Sequence, residues 1–375
     1  MIALTRRAWL PAALAVVVIA LLIDFVHQTE RIGIDFHTYE AAAKVGLQQG
    51  WSHIYDQALV AAQQKLLVPE QYTQPFLSPP TVAWLAAGLA PLPYALAFDV
   101  WATLILVAFA AALAWSATGH GLSRWLPVAA ALAPWWVLHA VRLGQVVPLV
   151  AAAVVVAWRL IREDRDVAAG VVLAIVFLKP NTAFLVPLAL LAAGRYRTFA
   201  AWAVVGAALA AIALLTLGSH GMSAYASQLS GPLPKGADAL TLKGALGLDG
   251  VLATVVRLVL VGAVLVTSFK LRGSPGLVIP VAIVGSLVTS PYLHASDLCL
   301  LAAAALMVWH EGQTLAWRVA LALGWVLASP YLFVPGIGPS LNRWPLLELV
   351  LLGALVLVAW RPLTREADLR TRAPA

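Results

Sequence analysis

The sequence predicts an all-α fold: a polytopic transmembrane helix bundle of about 12 spans, with an external first loop that carries short interfacial helices. Three observations predict it. The chain is 62% hydrophobic and only 11% charged, against roughly 25% charged residues in a soluble domain. Apolar runs of near-spanning length recur from end to end. The basic residues gather in alternate short connections between those runs, where they set orientation. The net charge of +7 therefore reports membrane topology and does not point to nucleic acid.

The first apolar run, Ala8 to Val26, follows Arg6 and Arg7. It is long enough to span and lacks a small-residue cleavage site, so it reads as an uncleaved signal-anchor helix starting in the cytoplasm. Residues 27–79 then form an external loop. Within it, Phe36 to Gln49 reads as a helix stopped by Gly50. Gln57 to Val68 reads as a second helix. Ala58, Leu59, Ala62 and Leu66 form its apolar face, opposite Gln63, Gln64 and Lys65, which suits the membrane interface.

Ser78-Pro79-Pro80 breaks the chain, and Thr81 to Pro91 is apolar but too short to cross, so it is expected to be re-entrant or interfacial. Spans follow at Tyr94–Ala117, Trp125–Ala140, Gln145–Leu160, Val167–Leu178, Thr182–Ala193, Phe199–Leu217, Val251–Phe269, Leu277–Ser290, Ser296–Trp309, Leu315–Tyr331 and Pro345–Trp360. An even count returns the C-terminus to the cytoplasm. On this layout 15 of the 24 Lys and Arg residues lie inside, as the positive-inside rule requires. Residues 218–250 form a second external loop, a candidate lid, and the whole chain, 1–375, is one integral-membrane domain.

Polar residues at the predicted outer span ends mark the candidate site: Asp35, His37 and Tyr39; Arg142 and Gln145; Lys179 and Asn181; Tyr292, His294 and Asp297. An ionisable group at membrane depth is costly unless paired, so each is a functional candidate. One carboxylate near several cations suits an anionic, phosphate-bearing substrate together with a base. Each also has a plain structural role. Asp35 suits the N-cap of a helix starting at Phe36, Asp297 suits the N-cap of the span it opens, Lys179 can snorkel, and Arg142 can anchor a helix end. Their shared side of the membrane favours a site.

Cys299 is the single cysteine, which excludes an intramolecular disulfide and a multi-cysteine metal centre. There is no Walker loop, no Gly-rich dinucleotide fingerprint, no HExxH and no serine nucleophile elbow. The one metal-like pair, His294 and Asp297 at i, i+3, is too small to argue for an ion, so no cofactor is expected.

Several short motifs in order carry a resemblance: Asp35-Phe36 with Tyr39, Gly50 with Tyr55-Asp56, Ser78-Pro79-Pro80, Pro91-Leu92-Pro93 with Trp101, Gly144-Gln145, Ala169-Gly170, Leu178-Lys179-Pro180-Asn181, Arg195-Tyr196-Arg197, and Ser290-Pro291-Tyr292 with Asp297. Together they resemble glycosyltransferase family 87, the polyprenyl-phosphate-sugar-dependent membrane transferases of the GT-C class. The resemblance implies a GT-C-like bundle in the cell inner or plasma membrane and a catalytic carboxylate at Asp35. It also implies an inverting transfer, commonly of mannose, from a polyprenyl-phosphate donor to a lipid or glycan hydroxyl acceptor at the outer, periplasmic face. Two positions depart from the family pattern: Val146-Val147 follow Gly144-Gln145 where Asn is common, and Ser78 precedes Pro-Pro where an aromatic is common. Lys179, with Arg142, is expected to hold the phosphate, and Tyr39, Gln145, Asn181 and His294 to meet sugar hydroxyls. Tyr292 and Asp297 complete the substrate-binding set. The rival class is a transporter or lipid flippase, which also uses short broken spans. A third reading is a non-catalytic membrane assembly subunit. Convergence of Asp35, Lys179 and Asp297 separates the first reading from the last.

Overall fold

The structure is a computed structural model that describes residues 33–231, 240–311, 319, 321 and 344–360. The helix expected at Ala8–Val26 lies outside these residues, as does the span expected at Leu315–Tyr331 apart from residues 319 and 321. Among the described residues there are helices and turns and no strand.

The segment expected to be an external loop contributes two helices, α1 (Ile34–Gln49) and α2 (Gln57–Leu67), and α3 (Pro80–Ala87) follows it, with both α2 and α3 packed on α1. Asp56 caps α2 by accepting from the Ala58 and Leu59 N–H groups. Helix α1 begins at Ile34 after Gly33, so Asp35 lies inside the first turn and is not the N-cap. The expected face of α2 is half right. Ala58, Ala62 and Leu66 are exposed in one stripe, with Leu66 77% exposed, but Gln64 is buried rather than solvated. Its amide donates to the Gln74 carbonyl (2.6 Å) and accepts from the Gln74 N–H (2.9 Å). About two turns earlier on the same face, Gln57 makes the same double contact with Phe76 (3.3 and 3.0 Å). Pro75, between them, has no N–H to satisfy. Two amides on α2 thus take the place of a partner strand for the extended segment 74–76.

The remaining helices form the bundle. They are α4 (Tyr94–Ser116), α5 (Leu122–Leu132), α6 (Trp135–Leu143), α7 (Val147–Arg162), α8 (Asp166–Leu173), α9 (Leu185–Ala192), α10 (Tyr196–Ser230), α11 (Leu242–Leu246), α12 (Gly250–Lys270), α13 (Pro275–Thr289), α14 (Cys299–His310) and α15 (Trp344–Trp360). Proline opens several of them at or just before the first residue, where its missing N–H has no helical partner to lose. Among the described residues three helices are long and apolar enough to cross a membrane: α4, α10 and α12 with the turn after it. The span expected over Trp125–Ala140 is instead broken before Trp135, where α5 and α6 meet at a 58° bend, and this pair passes the test only together. The span expected over Val167–Leu178 leaves the α-helix at Leu173 and continues as a 3-10 turn.

Helix α13 is the axis of the bundle. Every residue from Gly276 to Thr289 is buried, against α9, α12, α14 and α15, as suits a helix that is apolar all round. Its hydroxyls bond within the helix, Ser286 to the Ala282 carbonyl (2.8 Å) and Thr289 to the Gly285 carbonyl (2.6 Å), so no polar group is left bare. At the periphery, α10 and α12 turn large apolar side chains outward, among them Leu215 at 84% exposed. Helix α10 runs 35 residues and breaks at Gly218, the expected start of the second external loop; beyond the break its face meets the turn at Trp51–His53.

Candidate active site

Two glycines in the left-handed region bring the site's segments together. Gly33 (φ 70°) donates its N–H to the Arg142 carbonyl (2.8 Å) and accepts from Tyr94 Oη (3.0 Å). This pins the start of α1 to the end of α6. Gly144 (φ 73°) ends α6, and a Cβ there would lie 2.6 Å from Phe36 Cβ. Its carbonyl accepts from Trp101 Nε1 at 2.8 Å. Only a residue without a side chain fits both the torsion and the space. The turn delivers Gln145 inward, where it is buried.

Gln145 is the hub. Its Oε1 accepts from Tyr39 Oη (3.1 Å) and from Lys179 Nζ (3.2 Å). Two donors fill that oxygen, which leaves the amide N–H groups for the Asp35 carboxylate. Asp35 and Tyr39 are four residues apart on α1 and share a face. Lys179 (φ −151°, ψ 76°) lies outside the helical region, which the following Pro180 disfavours. Its Nζ pairs with Asp297 Oδ1 at 2.5 Å. The other Asp297 oxygen accepts the His294 N–H at 2.8 Å. Asp297 is thus not the expected N-cap: His294 holds that position, and Asp297, three residues on, accepts the His294 N–H while its other oxygen holds the Lys179 ammonium. Asn181 Nδ2 donates to the Tyr292 carbonyl (3.0 Å), and Tyr292 Oη meets His294 Nε2 at 2.5 Å.

The electrostatics follow from one ammonium between two carboxylates. Burial pushes the Asp35 carboxyl up from 3.8 to about 6, while Lys179 and hydrogen bonding from Gln145 pull it down and Asp297 pushes it further up. Burial, then the Asp35 charge, raises the Tyr39 phenol well above its ordinary range. Burial and the nearby Lys179 ammonium lower His294, with Asp297 opposing.

Of the expected residues, the structure brings together Asp35, Tyr39, Gln145, Lys179, Tyr292, His294 and Asp297. Asn181 spends its amide on the backbone and shapes the loop. Arg142 joins through its carbonyl. His37 does not join: two residues from Asp35 it turns away, and its Nε2 meets the Gln64 carbonyl at 2.7 Å. Sequence reasoning missed two neighbours. Ser78 lies beside the Tyr39 hydroxyl, and its carbonyl accepts from Tyr55 Oη at 2.8 Å. His139 lies within electrostatic reach of Arg142 and His294, and its helical spacing from Arg142 is a signal that could have found it. A surface recess of about 250 Å³ lies elsewhere, lined by Lys44, Leu47, Gln48, Ala90 and Pro91. Among the described residues no three or more His, Cys, Asp or Glu side chains gather as a metal site.

Comparison with known families matches residues 76–330, more than half of the chain, to the model of glycosyltransferase family 87. The chain belongs to glycosyltransferase family 87. Neither the curated proteins nor the solved structures compared with it include a match. Glycosyltransferase family 87 membership makes the chain a membrane glycosyltransferase, in keeping with its apolar helices. The matched residues hold Arg142, Gln145, Lys179, Asn181, Tyr292, His294 and Asp297; Asp35 and Tyr39 precede them and reach the family region through Gln145.

Proposed function

We propose that the chain transfers a sugar, mannose in the first instance, from a polyprenyl-phosphate donor to a hydroxyl acceptor at the outer face of the membrane, with inversion. Asp35 is the general base. The observation that carries this reading is the carboxylate itself, drawn out of water and held by Gln145 beside the Lys179–Asp297 pair. A carboxyl near 6 is a better base than an ordinary aspartate and is still ionised at neutral pH. One base suffices for a one-step inversion; a retaining route would need a second carboxylate as nucleophile close to the first. Asp297 does not suit that role, since one oxygen is spent on Lys179 and the other on backbone. Tyr39, Tyr292 and His294 are placed to meet sugar hydroxyls.

The proposed topology has twelve crossings with both termini cytoplasmic, supported by the distribution of Lys and Arg along the sequence. The test is purified chain incubated with a panel of polyprenyl-phosphate sugars and a membrane extract as acceptor. Transfer from one of them, lowered about 100-fold or more by Asp35→Asn, supports the reading; wild-type turnover by that variant sinks it.

A further inference from the structure

The core cluster leaves the donor's phosphate without a counter-charge. With Asp35 ionised, Asp35, Lys179 and Asp297 together carry one net negative charge, and Lys179 is already engaged by Asp297 and Gln145. An ammonium so occupied is a poor ligand for a second anion. Helix α6, tied to the start of α1 through the Arg142 carbonyl, carries basic side chains. Trp135, His139 and Arg142 stand at i, i+4 and i+7, on one face of the helix. All three are partly exposed, whereas Trp136, Val137, Leu138, Ala140 and Val141 are buried. The Trp135 and His139 rings lie 5.3 Å apart. His139 in turn lies within reach of both Arg142 and His294, and the Arg142 carbonyl bonds Gly33, two residues from Asp35.

We propose that this stripe is the donor's lipid-phosphate subsite. Arg142 and His139 hold the phosphate, the first isoprene units lie along Trp135, and Lys179 serves the carboxylates rather than the substrate. The inference rests on the polyprenyl-phosphate donor of the preceding section. Its chemistry fits each residue. A guanidinium grips phosphate through paired N–H groups, an imidazole adds a donor, and an indole offers an apolar body to the chain. From Arg142 the stripe runs about 10 Å towards the N-terminus of α6. It ends at the 58° break between α5 and α6, and broken backbone at membrane depth is tolerated where it lines a cavity.

The charge balance agrees. The acceptor O–H gives its proton to Asp35 as its oxygen bonds the anomeric carbon. The bond from that carbon to the phosphate oxygen breaks, and the electron pair stays on the phosphate. Asp35 goes from −1 to neutral while the phosphate goes from −1 to −2. One negative charge moves from α1 to the face of α6 that carries Arg142.

Binding of a long-chain polyprenyl phosphate, the leaving group of the transfer, is measured on the full chain in detergent with Asp35 intact. The matching polyprenol and inorganic phosphate serve as separate arms. Arg142→Gln and His139→Ala are each expected to weaken polyprenyl phosphate about tenfold or more and leave the polyprenol unaffected. Arg142→Lys recovers only part of the affinity lost in Arg142→Gln, and Trp135→Ala weakens both lipids. Inorganic phosphate is expected to compete poorly, which separates a lipid-borne phosphate from a free one. Lys179→Gln is expected to change the affinity by no more than about twofold, and to lower kcat. Unchanged affinity in Arg142→Gln and His139→Ala, or loss of binding in Lys179→Gln alone, overturns the subsite and leaves the donor reading standing. No affinity of the parent for polyprenyl phosphate overturns the donor reading as well.

Discussion

At the scale of single residues, the site turns on how hard Asp35 is to ionise. Its value in the fold, about 6, lies above its ordinary 3.8. A base must be deprotonated, so kcat/KM is expected to fall as pH drops through about 6, along a single-proton limb visible in a pH–rate profile. The sign for stability is the opposite. Between those two values the folded chain binds more protons than the unfolded one, so stability declines as pH rises through the window. Asp35→Asn abolishes that slope and is expected to melt no lower than wild type at neutral pH. Gln145→Glu would place a third carboxylate in the cluster and move the acid limb to higher pH. The sequence revealed Asp35, Lys179 and Asp297, because ionisable groups stand out in an apolar chain. It concealed that Gln145 is the hub and that His37 faces away, because contacts such as Tyr39 to Gln145 bridge 106 positions of sequence.

At the scale of elements, turns do the positioning. Gly144→Ala forces an unfavourable torsion and drives a methyl onto Phe36. The expected cost is about 2 kcal/mol or more, measured as a fall in melting temperature with loss of transfer. The two amides of α2 have a more local role. Gln64→Leu leaves the Gln74 N–H and carbonyl without their partner, at about 1–3 kcal/mol. Hydrogen exchange at residues 74 and 76 should quicken and proteolysis near them should rise, while the bundle stays protected. Helix positions were legible from proline, glycine and apolar runs, as Tyr94–Ser116 shows. The break before Trp135 was not anticipated, although Pro134 stands there, because the apolar pattern runs straight through it. The burial of Gln64 was equally hidden, since helical periodicity sorts residues by polarity and a glutamine bonded to backbone reverses the sort.

At the scale of the whole molecule, apolar surface divides into a sealed axis at α13 and an outward skirt on α10 and α12. Leu215→Arg, on that skirt but near the end of the expected span, is expected to lower membrane yield by less than the about 2.5–3.5 kcal/mol of an arginine at mid-bilayer. The same skirt has a mechanical side. Beyond its break at Gly218, α10 stacks Tyr225 on Tyr55 at 4.5 Å and brings His220 to 5.3 Å from His53. Tyr55 in turn bonds Ser78, beside Tyr39. A helix with the length and composition of a membrane span thus continues, past its break, onto groups beside Tyr39, and bilayer thickness is expected to act on turnover. Turnover measured in nanodiscs of graded acyl length should pass through a maximum, and Tyr225→Ala should flatten it.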